Sequence, residues 1–212
     1  MKYITYREEE NIVKYSKYMK MKTSILRELP KIKAAEESIR RLRFMNPHEY
    51  NYIQEAEQAK YYISMHNGDM QQIFIESESI QDDITYKAST RINYDEYEKI
   101  INNDIEWMQN HKDQIIADFY LQITINAVTP AYITEYEREI YNFSKKEKVI
   151  FNKKISRAAG KNINLLDENM LMINCLSEDK VSYSFIRKTN IPSVVFNIMN
   201  NSEEVAGGLC FQ

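Results

Sequence analysis

The sequence predicts an α+β fold built on a mainly antiparallel sheet. Six or seven segments of strand length have period-2 or β-branched patterns, and two helical segments lie next to each other between them. Because strands and helices do not alternate one by one, the pattern differs from that of a parallel βαβ sheet. We expect the strands to close into a barrel, with the helices packed around it.

The first half of the chain is predicted to begin with a helix and to continue into a hairpin. From Arg7 to about Leu29, helical spacing of apolar residues predicts one amphipathic helix with an apolar face formed by Ile12, Tyr15, Met19, Leu26 and Leu29, and Pro30 ends the pattern. Residues 38–46 fit either a short strand or the end of a helix, and residues 48–60 favour a helix. Strands are predicted at KYYISMH (60–66) and QQIFIESES (71–79), around the turn signal Asn67-Gly68-Asp69, and at DITYKASTRI (83–92).

The second half is predicted to contain two helices, three strands and a closing helix. The helices run from Tyr94 to about Asn102 and from Ile105 to about Ile125. The later elements are strands AYITEYEREIYNF (131–143), EKVIFNKKIS (147–156) and KVSYSFI (180–186) and helix IPSVVFNIMNN (191–201). No linker is evident, so we expect one domain over residues 1–212, with an N-terminal helix in 1–30, the barrel and helices in 38–200 and a flexible tail in 201–212.

Composition excludes several classes of protein. A formal net charge of −3 argues against a surface that binds nucleic acid throughout, so any polyanion site must be local. Cys175 and Cys210 form neither a disulfide framework nor a zinc motif, and the four glycines form no P-loop or dinucleotide-binding pattern. No segment has the apolar run of a signal peptide or a membrane helix. We expect a cytoplasmic protein without membrane insertion or nucleic-acid binding.

Cations lie within the apolar runs of several predicted strands. Because alternate side chains share a strand face, Lys87 lies with Arg91, and Arg138 and Lys148 occupy similar positions in later strands. If these faces line one barrel, the cations converge and can hold a phosphate chain. The alternative is that they are solvated faces of an open sheet. Glu135, Glu137 and Glu139 lie on the face opposite Arg138, where solvation or pairing with a neighbouring strand is favoured over metal binding.

The order of several segments resembles the bacterial VTC-type polyphosphate polymerase domain, a member of the triphosphate-tunnel (CYTH-like) barrels. The resemblance extends from about Ser38 to Asn200, and YKASTRINYDEYEKIINNDIEWM (86–108) is its closest block. The other similar blocks are IRRLRFMNP (39–47), KYYISMHNGD (60–69), IFIE (73–76), TPAYITEYEREIY (129–141), EKVIFNKKI (147–155) and YSFIRKTNIPSVV (183–195).

This resemblance implies a tunnel of Arg and Lys that holds a nucleotide triphosphate and growing polyphosphate, with a divalent metal on a carboxylate. Carried over by position, it places phosphate-binding cations at Arg40, Lys87, Arg138 and Lys148. Arg91 shares the strand face of Lys87 and is a further candidate. If the domain is active, Glu76 is the candidate catalytic carboxylate, and Glu76 or Glu78 would bind Mn²⁺ or Mg²⁺.

The sequence also departs from the family pattern at positions that matter for catalysis. Residues of other types stand where the family has phosphate cations or acidic residues, at Met45, Tyr62, Ser64, Ser77, Glu78 and Ser184. Such losses predict a rate lower by orders of magnitude. We therefore interpret the chain as a degenerate tunnel domain that binds polyphosphate or a nucleotide, or serves as a scaffold for a protein partner. Two alternatives stay open: a divergent polyphosphate polymerase or triphosphatase, and an unrelated α+β interaction protein.

Overall fold

The computed structural model describes residues 2–47, 59–81, 84–143, 147–159, 161–164 and 170–177. These residues form nine strands, three α-helices and one 3₁₀ turn. In chain order they are β1 (Lys2–Lys14), α1 (Tyr15–Glu28), β2 (Ala35–Met45), β3 (Lys60–His66), β4 (Ile73–Gln81), β5 (Ile84–Ile92), α2 (Tyr94–Ile101), the 3₁₀ turn (Glu106–Met108), α3 (Gln114–Thr124), β6 (Thr129–Asn142), β7 (Glu147–Ala159), β8 (Lys161–Asn164) and β9 (Met170–Ser177).

The chain divides into two compact units. The first takes its described residues from Met1–Tyr6, Glu37–Glu137 and Ser156–Leu165, and the second from Arg7–Glu36, Arg138–Ile155 and Leu166–Gln212. The prediction of one domain over the whole chain stays a prediction. The antiparallel α+β class is confirmed, because strands β1 to β5, β7, β8 and β9 pair antiparallel in the described registers.

In the first unit, neighbouring strands follow the order β6-β2-β3-β4-β5-β1. The register places Ile63 opposite Ile75, and Ile75 opposite Thr90, so that one face of β3 and β4 is apolar. Phe119 of α3 packs on this face, with its ring 4.8 Å from that of Phe44 and stacked at 5.3 Å on that of Tyr61. Burial of these large apolar side chains holds the helices against this face of the sheet.

The predicted hairpin between β3 and β4 is confirmed. Asn67 and Gly68 have φ angles of 55° and 64°, and the Asp69 amide donates to the His66 carbonyl at 2.9 Å. Two central residues with positive φ are the signature of the turn that Asn-Gly favours. A second turn, closed by the Gln72 amide on the Asp69 carbonyl at 2.8 Å, lengthens the connection.

The predicted helix from Ile105 to about Ile125 is shorter than expected. Only the 3₁₀ turn and α3 form, because Asp113 caps a new helix, its side chain accepting from the Ile115 amide at 3.1 Å. The helix predicted from Tyr94 is confirmed as α2, which begins with a capping box between Asn93 and Glu96.

In the second unit, the predicted N-terminal helix is wrong over its first residues. Arg7–Lys14 are strand residues that pair with Met170–Ser177, and the helix begins only at Tyr15. This pairing is made with a strand, β9, that the sequence pattern did not indicate, and it overrides the local helical spacing. The buried face of α1 also differs from the predicted one. It is formed by Tyr18, Met21 and Ile25, which pack with Phe151 of β7 and Leu171 of β9.

Several predicted elements lie outside the described residues: most of the helix at 48–60, the strand at 180–186, the closing helix at 191–201 and the tail at 201–212. Among the helices that are described, none is both long and apolar enough to span a membrane.

Candidate functional site

Strands β2 to β5 of the first unit carry charged side chains on the face opposite the helices. The register places Glu78 opposite Lys87, and Glu76 opposite Tyr62. Since directly paired residues of an antiparallel sheet point to the same side, these side chains share one face. We call it the polar face, and it comprises Arg41, Arg43, Tyr62, Ser64, His66, Glu76, Glu78, Lys87 and Arg91.

Four residues of the polar face form a connected ion-pair cluster. Nη2 of Arg41 lies 2.7 Å from Oε2 of Glu76 and 3.4 Å from Oε2 of Glu78, and Nζ of Lys87 lies 3.2 Å from the same Glu78 oxygen. Burial disfavours the charged guanidinium, but Glu76 and other neighbours outweigh it and raise the pKa of Arg41. Burial alone would raise the pKa of Glu78, yet Lys87 and Arg41 lower it. Arg41 and Glu78 are therefore charged at neutral pH.

Tyr62 lies beneath two arginines of this face. The Arg41 guanidinium lies 3.5 Å from the centre of the Tyr62 ring and that of Arg43 4.9 Å from it. Arg43 also donates to the Tyr61 carbonyl at 3.3 Å. Cation–π contacts of this kind hold both guanidinium groups in place over the ring.

His66 adds a further positive charge. Its Nδ1 lies 3.0 Å from Oε2 of Glu37, and its Nε2 4.0 Å from Oε1 of Glu76, which also accepts from the Ser64 hydroxyl at 2.8 Å. Burial disfavours the charged imidazolium, but the interactions with Glu37 and Glu76 outweigh it and raise the pKa of His66 to about 9. His66 is thus protonated at neutral pH.

Two arginines of the first unit have a buried donor that is not satisfied. Nε of Arg41 and Nε of Arg157 are both buried, and neither has a hydrogen-bond partner in the described structure. The Arg157 guanidinium lies 3.9 Å from the centre of the Tyr132 ring. Tyr132 also acts on Tyr62 of the polar face: burial raises the pKa of Tyr62, and Tyr132 is among the neighbours that raise it further. A buried N–H without an acceptor is costly and calls for a physical explanation.

The predicted phosphate ligands on β2 and β5 are placed as follows. Lys87 belongs to the ion-pair cluster, and Arg91 is exposed on the same face of β5. Arg40 lies on the other face of β2, with its side chain 59% exposed and its Nε 3.5 Å from Glu135. The register of β2 therefore brings Arg41, and not Arg40, to Glu76 and Glu78. The alternation of Leu42 and Phe44 with Arg41 and Arg43 is the feature of the sequence that predicts which residues of β2 lie on this face.

Arg138 and Lys148 belong to the second unit. Nε of Arg138 donates to Oδ1 of Asn152 at 2.9 Å, and Lys148 lies on β7 opposite Leu176. Their convergence with Lys87 stays a prediction.

Glu139 forms a second polar cluster, which the sequence pattern did not indicate. Its side chain is fully buried and accepts hydrogen bonds from the hydroxyls of Tyr18 and Tyr141 at 2.5 and 2.7 Å. Lys22 lies 2.5 Å and Lys153 3.5 Å from its carboxylate. Burial disfavours the carboxylate, but the hydrogen bonds from Lys22, Tyr18 and Tyr141 lower the pKa of Glu139 to about 2. Solvation of this residue, one of the two expectations, is excluded, whereas pairing is observed.

The described residues do not fit a divalent metal. No group of three or more His, Cys, Asp or Glu side chains within the described ranges could hold such an ion. Glu76 and Glu78 instead lie against Arg41 and Lys87, whose positive charges would repel a divalent cation at that position.

Comparison with known proteins agrees with this architecture. The VTC domain family model matches residues 5–199. A candidate adenylate cyclase from Bacillus halodurans has a similar structure, with 8% sequence identity, a TM-score of 0.58 and 92% coverage of each chain. A candidate adenylyl cyclase from Hippeastrum, described as having a dominant triphosphatase activity, has 8% identity, a TM-score of 0.51 and 88% coverage of each chain. No curated protein matches the sequence. At such low identity, the two structures show a shared fold.

Proposed function

Because the chain belongs to the VTC domain family, we propose that its polar face binds a phosphate-rich ligand, a polyphosphate or a nucleotide, without transferring phosphoryl groups. Closure of the strands into a tunnel-like barrel around this face, and action in the cytoplasm, are parts of the same proposal. The two Cys residues without a disulfide or zinc motif support the cytoplasm as the compartment.

The buried Nε of Arg41 is the observation that carries the binding proposal. This N–H lies among charged groups and has no acceptor in the described structure. A phosphate oxygen is a strong acceptor for a guanidinium, which binds it through N–H groups in a fixed geometry. Occupation by a phosphate would remove the cost of the unsatisfied donor, and Arg43, Lys87 and His66 supply further positive charge on the same face.

The pairing of the cluster supports binding without catalysis. Phosphoryl transfer needs cations directed at the transferring group, usually with a metal ion. Here Glu76 and Glu78 already neutralise Arg41 and Lys87. A ligand on this face therefore competes with internal carboxylates, which favours modest affinity and slow or absent turnover.

The alternative is a divergent polyphosphate polymerase or triphosphatase, in which Glu76 or Glu78 exchanges its cations for Mn²⁺ or Mg²⁺. The activity described for the Hippeastrum protein belongs to this class of reaction. A third function, a scaffold for a protein partner, would apply if the polar face binds no phosphate compound.

Titration calorimetry with tripolyphosphate, ATP and long-chain polyphosphate, with and without Mn²⁺, tests the proposal. We expect metal-independent binding and no phosphate released or polymerised in the same mixtures. Metal-dependent turnover that is lost in Glu76→Gln would establish the enzyme instead. If none of the three compounds binds, a scaffold for a protein partner is the remaining function.

Three variants test whether binding occurs on the polar face. Arg41→Lys keeps a positive charge for Glu76 and Glu78 but lacks the Nε donor, and we expect it to weaken tripolyphosphate binding by roughly tenfold. Lys87→Gln, at a partly exposed position, should weaken it similarly. Arg40→Gln is the matched control, since the adjacent arginine lies on the other face and is largely exposed. Equal loss in Lys87→Gln and Arg40→Gln, with none in Arg41→Lys, would show that only net charge matters.

A further inference from the structure

Helix α1 and its flanking residues carry a concentration of positive charge unlike that of the rest of the chain. Residues 14–33 contain seven Lys or Arg and a single acidic residue, Glu28, and so carry a net charge of +6. The whole chain has a formal net charge of −3. A local positive field of this size attracts polyanions and negatively charged surfaces even when the rest of the protein is acidic. We call residues 14–33 the basic surface.

Exposed apolar side chains lie within the basic surface. Tyr15, Met19 and Leu26 are 46%, 44% and 41% exposed. Their spacings of four and seven residues place them on one side of the helix. The buried face of α1 is formed by Tyr18, Met21 and Ile25 instead, so the exposed apolar side chains are not needed for the core of the second unit.

The lysines of the basic surface, apart from Lys22, are not used in internal ion pairs among the described residues. In the described part of the chain, Lys22 pairs with Glu139. No ion pair is formed there by the other lysines of the basic surface, which are Lys14, Lys17, Lys20, Lys31 and Lys33. These five charges are available to an external partner.

We propose that the basic surface docks α1 along the surface of a bilayer that contains anionic phospholipid. The five unpaired lysines complement the negative headgroups, and each adds a similar amount to the free energy of binding. The apolar stripe decides between lipid and a free phosphate chain, because Tyr15, Met19 and Leu26 gain only from a partner that has an apolar layer. With 14 residues, α1 is too short to cross a bilayer, so the contact is peripheral.

Flotation of the full-length chain with lipid vesicles tests this proposal. We expect binding to vesicles of phosphatidylcholine mixed with phosphatidylserine, no binding to phosphatidylcholine alone, and release by high salt. The double variant Lys20→Gln, Lys31→Gln should lower the partition coefficient roughly thirtyfold. Lys99→Gln, Lys112→Gln, which removes two charges elsewhere, should leave it unchanged.

The apolar contribution is tested by a second matched pair of variants. Met19→Ser, Leu26→Ser should weaken vesicle binding at least tenfold, whereas Ile101→Ser, Leu121→Ser changes two apolar side chains of similar exposure on α2 and α3 and should not. Circular dichroism confirms that each variant is folded. The proposal is overturned if vesicles do not bind, or if the Met19 and Leu26 changes have no effect while long-chain polyphosphate binds in a Lys20- and Lys31-dependent way, which would make the surface a polyanion site.

Discussion

His66 couples the polar face to pH, because its protonated ring lies between two carboxylates. With its pKa raised from 6.5 to about 9 by Glu37 and Glu76 against the effect of burial, it stabilises the fold fully below about pH 6.5. This contribution is lost as the pH rises through 9, since the native state then releases the proton that it holds more tightly than the unfolded chain.

We expect urea denaturation to show this loss directly. Between pH 6.5 and 9, the free energy of unfolding of the wild type should fall by up to about 3 kcal/mol relative to that of His66→Gln. His111→Gln is the control, because His111 accepts a hydrogen bond from the Asp113 amide and its removal leaves His66 with Glu37 and Glu76 in place, so the fall should persist. A constant difference between the wild type and His66→Gln over this range would contradict the assigned contacts with Glu37 and Glu76.

Glu139 holds α1 on the strands of the second unit through charged hydrogen bonds. Glu139→Gln places an amide against Lys22 and Lys153 and removes the buried negative charge that they need. We expect the free energy of unfolding to drop by about 2–4 kcal/mol, measured by thermal or urea denaturation.

The matched control is Glu135→Gln on the same strand. Glu135 is 43% exposed, and its partner Arg40 is 59% exposed, so the loss of this pair should cost less than about 1 kcal/mol. Equal costs for the two variants would mean that Glu139 is not buried among its four partners.

The two clusters differ in how far the sequence could reveal them. The polar face follows from strand alternation, and Lys87, Arg91, Glu76 and Glu78 are indicated by it. Arg41 can also be assigned to this face once Leu42 and Phe44 are assigned to the core. A shift of one residue in this assignment places Arg40 on the face instead. Glu139 cannot be identified in this way, because its partner Lys22 lies 117 residues away in sequence.

At the scale of elements, the turn between β3 and β4 fixes the register of the polar face. Gly68 has a φ of 64°, which L side chains rarely adopt, and a Cβ atom at this position would meet no other atom within 4 Å. The cost of Gly68→Ala is therefore conformational rather than steric, about 1 kcal/mol of unfolding free energy.

Denaturation of Gly68→Ala against Asn110→Ala, at an exposed position outside the helices and strands, measures this cost. A neutral Gly68→Ala would show that the turn adopts another conformation.

Elements with local signals are predictable, and those that depend on distant partners are not. The Asn67-Gly68 turn and the Asn93 cap specify their structures within a few residues, and β3 and α2 follow the predicted boundaries closely. Residues 7–14 have helical spacing but form the end of β1, because β9 supplies a partner about 160 residues away. The same error assigned Tyr15 and Met19 to a buried face, although both are exposed.

At the scale of the whole molecule, positive charge is concentrated locally in an acidic chain. The polar face in the first unit has Arg41 and Lys87 paired with internal carboxylates, whereas the basic surface in the second has five lysines without such partners. The first arrangement favours a small, strongly charged ligand that can compete with carboxylates at short range. The second favours a broad surface of lower charge density. The two proposals can therefore fail independently.

A ligand that binds the native state alone raises the stability of the protein by mass action, and this gives a test that needs no variant. At a tripolyphosphate concentration of 100 times its dissociation constant, the stabilisation should be about 2.7 kcal/mol. For a chain of this size, that is a rise in melting temperature of roughly 5–10 °C. Because the polar face does not fit a divalent metal, we expect the same shift with EDTA present. Loss of the shift on adding EDTA, with recovery on adding Mn²⁺, would mean that a metal bridges the ligand to Glu76 or Glu78, as the enzyme alternative requires.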